Sequence, residues 1–295
     1  MTKQDQKSHV FPSAAEDFEL ARTQRMDNPA YRLAYADDDF LMRDDLRAVR
    51  LQLEWRKADL IQEENDIDST VVIFGGARFD DHDKAKQSFD LACKLLAQEP
   101  ASAKLKLQKT RAENVWKNSH YYAEARALAQ KITALSLQHE GKEFVIVTGG
   151  GPGVMEAANR GAADVGGKSI GLNIVLPFEQ KPNPYITPEL CFQFHYFAIR
   201  KMHFLKRAKG LVAFPGGFGT LDELFETLTL IQTRKIRSVP IVLVGKDYWN
   251  RLIDFRFLVE QGAIAEDDME LFHIVETAKQ AYQHLVSYWE SNDTQ

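Results

Sequence analysis

Phe214-Pro-Gly-Gly-Phe-Gly-Thr-Leu-Asp-Glu223 is the stretch that decides how this chain reads. The apolar run from Gly210 to Phe214 enters it, and an apolar-periodic segment from Leu221 to Ile231 leaves it. That order predicts a strand, a glycine loop and a helix. Glycines at 216, 217 and 219 carry no Cβ, so backbone N–H groups there can turn inward. A helix start adds N–H groups without intrahelical acceptors and positive dipole character, so the place suits a phosphate. No Gly-Lys-Ser/Thr follows, which excludes a Walker loop, and the glycine spacing differs from the dinucleotide fingerprint. Asp222 and Glu223 stand close behind the loop. One reading of them is structural: Thr220 and Glu223 fit a capping box, and Asp222, Glu223 and Glu226 complement the helix dipole. The other is that these carboxylates face a ligand.

An upstream echo favours the second reading. Phe144 to Val147 reads as a buried strand and is followed by Thr148-Gly-Gly-Gly-Pro-Gly-Val-Met-Glu156. Gly150-Gly151-x-Gly153-x-x-Glu156 repeats the spacing of Gly216-Gly217-x-Gly219-x-x-Asp222. In a parallel sheet such loops share the carboxyl ends of the strands, where ligands bind. Arg200-Lys201, at the start of a helical segment just before the strand at 210, supplies cations. Two glycine loops, two cations and several carboxylates can converge on one phosphorylated sugar.

These residues resemble the Lonely Guy (LOG) family. Pro215 to Glu223 matches its P-G-G-x-G-T-x-x-E signature, Arg200-Lys201 its paired Arg-Lys, and Gly149 to Glu156 its first glycine motif. The likeness runs from about Val71 to Tyr248. Members are often labelled lysine decarboxylase, but the activity the resemblance implies is hydrolysis of a nucleoside 5′-monophosphate to free base and ribose 5-phosphate. It implies catalytic roles for Glu223 and Arg200, and a homodimer or higher homo-oligomer with the site near the interface. An N-glycosidic bond breaks through an oxocarbenium-like ribose, which calls for a carboxylate near C1′ and a base to activate water. Glu223 is the candidate for both. Arg200 would hold the phosphate or stabilise the departing base. The amides of Gly216, Gly217 and Gly219, with the Thr220 hydroxyl, would hold the 5′-phosphate. Asp222 or Glu156 would bond the ribose hydroxyls, and Gly150, Gly151, Gly153 and Lys201 are expected in the same substrate site. Asp222 stands where many members have glutamate, and the long N-terminal extension makes this resemble a longer bacterial form. Asp222 keeps the carboxylate with a shorter reach; the extension points to AMP or another nucleoside monophosphate ahead of a cytokinin riboside monophosphate.

The rest of the chain sets bounds. Its 295 residues allow one large α/β domain, placed at 67–295, and a helical extension at 1–66. Apolar content of 44% is ample for a core, and a net charge of −5 argues against a nucleic-acid backbone as main partner. Two cysteines give neither a disulfide framework nor metal spacing. With no apolar leader and no membrane-length run, the expectation is a cytoplasmic enzyme without metal or other cofactor. In the extension, Leu46, Val49, Leu51, Leu53 and Leu60 supply a partial apolar face on what reads as a solvated helical arm. Strands at 71–74, 169–175, 191–197 and 239–244 alternate with helices at 82–98, 119–139, 154–165, 198–208, 221–234 and 247–260. The fold class is α/β: a Rossmann-like, doubly wound, mostly parallel sheet with helices on both faces.

Secondary features carry their own readings. Arg78, after the first strand, reaches either a phosphate or a surface partner. The lysines of 102–117 form a solvated face. The proline-rich loop at 177–188 offers Phe178 or Tyr185 to stack on a base. His195, among aromatics, reads as a packed core or interface residue. Two other functions compete: a non-catalytic nucleotide or cofactor carrier on the same fold, which has no need for both Arg200 and Glu223, and a pyridoxal-phosphate decarboxylase, which needs a Schiff-base lysine that no stretch declares.

Overall fold

The computed structural model describes residues 11–23, 28–177 and 181–292. The chain divides into two compact units between Arg56 and Lys57. The first contains α1 (Ala14–Thr23), a short α2 (Asp38–Leu41) and the beginning of α3 (Arg47–Glu64). Polar contacts tie it together: Arg50 donates to the carbonyls of Leu41 and Arg43, and the Tyr35 hydroxyl to that of Ala14.

The second unit is a seven-stranded sheet: β1 (Thr70–Phe74), β2 (Val145–Thr148), β3 (Ser169–Ile174), β4 (Cys191–Phe194), β5 (Ala208–Ala213), β6 (Ile241–Val244) and β7 (Phe272–Val275). Its order is β4-β3-β2-β1-β5-β6-β7, and every pairing is parallel. The inner strands explain this: Thr-Val-Val-Ile-Phe and Ile-Val-Leu-Val are apolar without alternation, as strands covered on both faces require. Between β1 and β2 lie α4 (His82–Gln98), α5 (Ala103–Lys117) and α6 (His120–Gln138). The helices that follow are α7 (Val154–Asp164), α8 (Phe197–Lys206), α9 (Phe218–Gln232), α10 (Lys246–Leu252), α11 (Phe255–Glu260) and α12 (Ala278–Asn292). Val71 and Ile73 pack with α6, α7 and α12 on one face; Val72 and Phe74 pack with residues of α8 and α9 on the other. The sheet is doubly wound. Its order reverses between β1 and β5, the switch point at which α/β sheets open a crevice.

Several local expectations need correction. The last turns of α3 are not a solvated arm: Ala58, Asp59 and Gln62 are buried, and Asp59 pairs with Lys206 and Arg207. Val49, Leu53 and Leu60 of the expected apolar face are exposed. The aromatic strand ends at Phe194, because Tyr196 caps α8 and Phe197 begins it. His195 is exposed and meets Tyr196 edge-on, so it is no core residue. The segment at 247–260 is two helices, with Asp254 capping the second through the Phe257 amide. The lysine-rich α5 buries no residue, in keeping with a solvated face, while Trp116 stacks on Phe89. Tyr185 carries Arg160 over its ring, and Phe178 lies outside the described residues. Among the described residues no helix is long and apolar enough to cross a membrane.

Candidate active site

Loops from the carboxyl ends of β1, β2 and β5 are stitched together by Gly76. Its amide donates to the Pro215 carbonyl at 2.8 Å, and its carbonyl accepts from the Val154 amide at 3.2 Å. They bound a cleft of about 710 Å³, lined by the turn at 74–79, by Val115, Gly149, Met155, Phe197 and Arg200, and by 216–220 with Asp222 and Glu223. Small-molecule sites span about 300–1,000 Å³. A groove of about 770 Å³ beside α6 is similar in size. Its Arg126 is bound to Asp164 and its Lys117 to Glu113, so those cations are already satisfied. The cleft at the switch point is different, because the Glu223 carboxylate and the Arg78 guanidinium on its wall form no hydrogen bond or ion pair among the described residues.

Helix α9 begins at Phe218, with extended Gly217 as its cap residue. Thr220 is therefore the third helical residue and not the cap, and the capping box with Glu223 does not form. The loop is shorter than the sequence reading had it, and Gly219 belongs to the helix. The amides of Phe218, Gly219 and Thr220 have no acceptor within the helix and open at the cleft. A Cβ on Gly216 would strike the Thr220 hydroxyl, 2.2 Å away, so glycine is a packing necessity there. A Cβ on Gly217 or Gly219 would meet no atom within 4 Å. Packing alone does not demand glycine at either position.

Glu223 is 7% exposed, and its carboxylate forms no hydrogen bond or ion pair among the described residues. Burial pushes its pKa up to about 7, against the pull of Lys201 and Arg200 and with the help of Glu226 and Asp222. Arg200 is held on three sides: its Nε donates to the Leu172 carbonyl at 2.7 Å, and its guanidinium lies near the rings of Phe197 and Phe204. Burial draws its pKa down and the Glu223 charge draws it up. Its terminal nitrogens carry no hydrogen bond to the described residues. Gly149 makes room for them, since a Cβ there would lie 2.7 Å from Arg200 Nη2. The Tyr248 hydroxyl donates to the Gly216 carbonyl at 2.5 Å and steadies the loop from α10.

The sequence-expected residues do not all come together. Glu223, Arg200, Gly216, Gly217, Gly219, Thr220 and Asp222 line the cleft; Lys201, Gly150, Gly151, Gly153 and Glu156 do not. Consecutive helix residues point about 100° apart, so Arg200 and Lys201 diverge. Lys201 bonds Asp222 at 2.9 Å and Glu226 at 2.8 Å. The Gly150 amide donates to Thr148 Oγ1, and the carbonyls of Gly150 and Gly151 accept from Asn183. Gly153, at φ +72, lies against Gly76 and Ala77, where a Cβ would be 2.4 Å from the Gly76 carbonyl. Glu156 accepts from the Tyr122 hydroxyl at 3.0 Å. Sequence reasoning missed Gly149, Met155, Phe79 and Val115 as cleft walls. For Gly149 the signal was present, one residue ahead of the repeated spacing.

Fold and site together define a doubly wound α/β protein with a cleft at its switch point that carries two arginines and two acids among the described residues. The chain belongs to the LOG family, whose model, described as "Possible lysine decarboxylase", matches residues 155–285. It is 30% identical over 148 residues to the cytokinin riboside 5′-monophosphate phosphoribohydrolase LOG3 of Arabidopsis thaliana, covering 49% of this chain and 67% of that protein. It is 30% identical over 158 residues to the phosphoribohydrolase LOG of Oryza sativa subsp. japonica, covering 50% and 64%. Among solved structures, the Moco carrier protein of Chlamydomonas reinhardtii is similar at 17% identity and a TM-score of 0.41, over 75% of this chain and 98% of that one.

Proposed function

We propose that this protein hydrolyses the N-glycosidic bond of a nucleoside 5′-monophosphate, AMP or a related nucleotide, to free base and ribose 5-phosphate. The observation that carries the reading is Glu223: a buried, unpartnered carboxyl with a pKa near 7, beside an arginine whose terminal nitrogens are unpaired. An acid tuned to that value is suited to act as a base at neutral pH. In the reaction the C1′–N bond breaks and its electron pair leaves with the base, which takes a proton from solvent. Water bonds to C1′ and gives its proton to Glu223, whose anionic form also favours the oxocarbenium-like ribose. Arg200 stabilises charge on the departing base. The open positions at Gly217 and Gly219 admit a phosphate to the α9 amides. Asp222, at the cleft wall, is the candidate for a ribose hydroxyl.

A pyridoxal-phosphate decarboxylase would need a lysine in the cleft, and none lines it among the described residues. A carrier would gain nothing from a buried, uncompensated acid. We also propose a homodimer, supported by the exposed Phe197, Met202, Phe218 and Phe225 on α8 and α9. The deciding experiment is incubation with AMP, GMP, CMP, UMP and lysine, with chromatography of the products. Free base and ribose 5-phosphate, formed also in EDTA and without added pyridoxal phosphate, are expected. Cadaverine, or nucleotide binding without turnover, would overturn the reading.

A further inference from the structure

We propose that Arg78 is the residue by which the cleft selects a 5′-phosphorylated ligand, binding the phosphate against the amino end of α9 while Arg200 serves the sugar–base bond; this rests on the nucleotide reading above. Arg78 and Arg200 are the cations among the described cleft-lining residues. Arg200 is a poor phosphate anchor. It is fixed beside Glu223 by the Leu172 carbonyl and two rings. A dianion bound there would repel the Glu223 carboxylate and lift a pKa already at about 7, leaving the base protonated at neutral pH.

Arg78 has none of these commitments. It is exposed and forms no ion pair or side-chain hydrogen bond among the described residues, although Asp80 and Asp81 follow it closely in the chain. The turn that carries it is anchored to the α9 loop, because the Gly76 amide donates to the carbonyl of Pro215, the residue before Gly216. Arg78 therefore projects into the cleft from a turn bonded to the loop that leads into α9, where the positions of Gly217 and Gly219 are open. A guanidinium can take two phosphate oxygens in parallel, and the helix amides can take the third. An exposed arginine also pays little desolvation while it waits. Selection of the phosphate is thereby separated from the chemistry by position in the cleft.

The test compares wild type with Arg78→Gln and Arg78→Lys, using AMP and adenosine as substrates and ribose 5-phosphate as inhibitor. Arg78→Gln is expected to raise the KM for AMP by about 10- to 100-fold, the scale of one charge-assisted contact. Ribose 5-phosphate inhibition should weaken equally, kcat should stay near wild type, and adenosine cleavage should not change. Arg78→Lys should restore part of the loss. Unchanged KM and inhibition would overturn the proposal, as would an equal loss on adenosine, which would mark a structural role. Should wild type release no base from AMP, the hydrolase reading fails by itself. Calorimetric binding of ribose 5-phosphate then decides for Arg78: weaker binding in Arg78→Gln supports it, and unchanged or absent binding overturns it.

Discussion

Arg200 and Glu223 share one cleft wall without bonding to each other: each shifts the other's proton affinity, yet neither forms a hydrogen bond or ion pair to its neighbour. Burial dominates both, so the acid sits near pKa 7 rather than in the usual carboxylate range. If the ionised acid is the base, kcat/KM for AMP should rise about tenfold per pH unit below 7 and level off above it. A flat pH profile between 5 and 8 would remove Glu223 from that role.

Replacing Glu223 by glutamine separates chemistry from folding. Base release should fall by about 100-fold or more, the scale of a lost general base. The stability effect follows from the raised pKa. Folded Glu223 holds its proton up to about 7, whereas a solvated glutamate holds its own only up to about 4.5. Between these values the folded state binds more protons, so the wild type loses stability as pH rises through that window. The whole loss, of order 3 kcal/mol at most, is present above it. Glu223→Gln cannot ionise. It should match wild type in urea unfolding near pH 4.5 and be more stable at pH 8. Equal unfolding free energies at pH 8 would contradict this burial account.

The paired cations should behave unlike each other. Arg200→Ala should cost about 100-fold in turnover, as loss of a charge-stabilising donor does. Lys201→Ala breaks contacts with Asp222 on the cleft wall and with Glu226, touches no ligand itself, and should change kcat/KM by less than about fivefold, the scale of one ion pair near the surface. Steady-state kinetics of both variants would settle it, and comparable losses would mean that Lys201 turns inward when substrate binds.

Gly219→Ala offers an opposed pair of effects. The position is helical and a methyl there meets no atom, so alanine should stabilise α9 by up to about 1 kcal/mol. The same methyl stands where the phosphate is proposed to approach the amides, and the KM for AMP should rise about tenfold or more. A raised melting temperature with unchanged KM would move the phosphate elsewhere.

Phe218, 93% exposed at the first position of α9, tests assembly. Light scattering at micromolar concentration should give a dimer for wild type and a shift towards monomer for Phe218→Ser. A fully active wild-type monomer would contradict the proposed assembly.

The parallel, doubly wound architecture was legible because its signals are local. Apolar runs such as Val71 to Phe74 and Ile241 to Val244 need cover on both faces, and glycines at their ends need turns. The seed of the site, Gly216 to Glu223, was legible for the same reason: loop and helix adjoin in the chain. Local pattern failed where one spacing serves two geometries. Thr220-x-x-Glu223 satisfies the capping-box rule, but the helix starts three residues earlier, at Phe218, and Glu223 lines the cleft. Gly150, Gly151 and Gly153 repeat the later spacing, yet contacts with Asn183 and Gly76 make them a packing loop. Arg200 and Lys201 look like one cationic pair until helical rotation parts them. Which charged groups stay unpaired depends on atoms brought from distant strands, and so does the pKa of Glu223. The sequence by itself determined the parallel sheet and the glycine-helix seed of the site; only the tertiary structure decided that Glu223, Arg200 and Arg78 would share one cleft without an ion pair among the described residues, because burial and pairing are properties of the assembled fold.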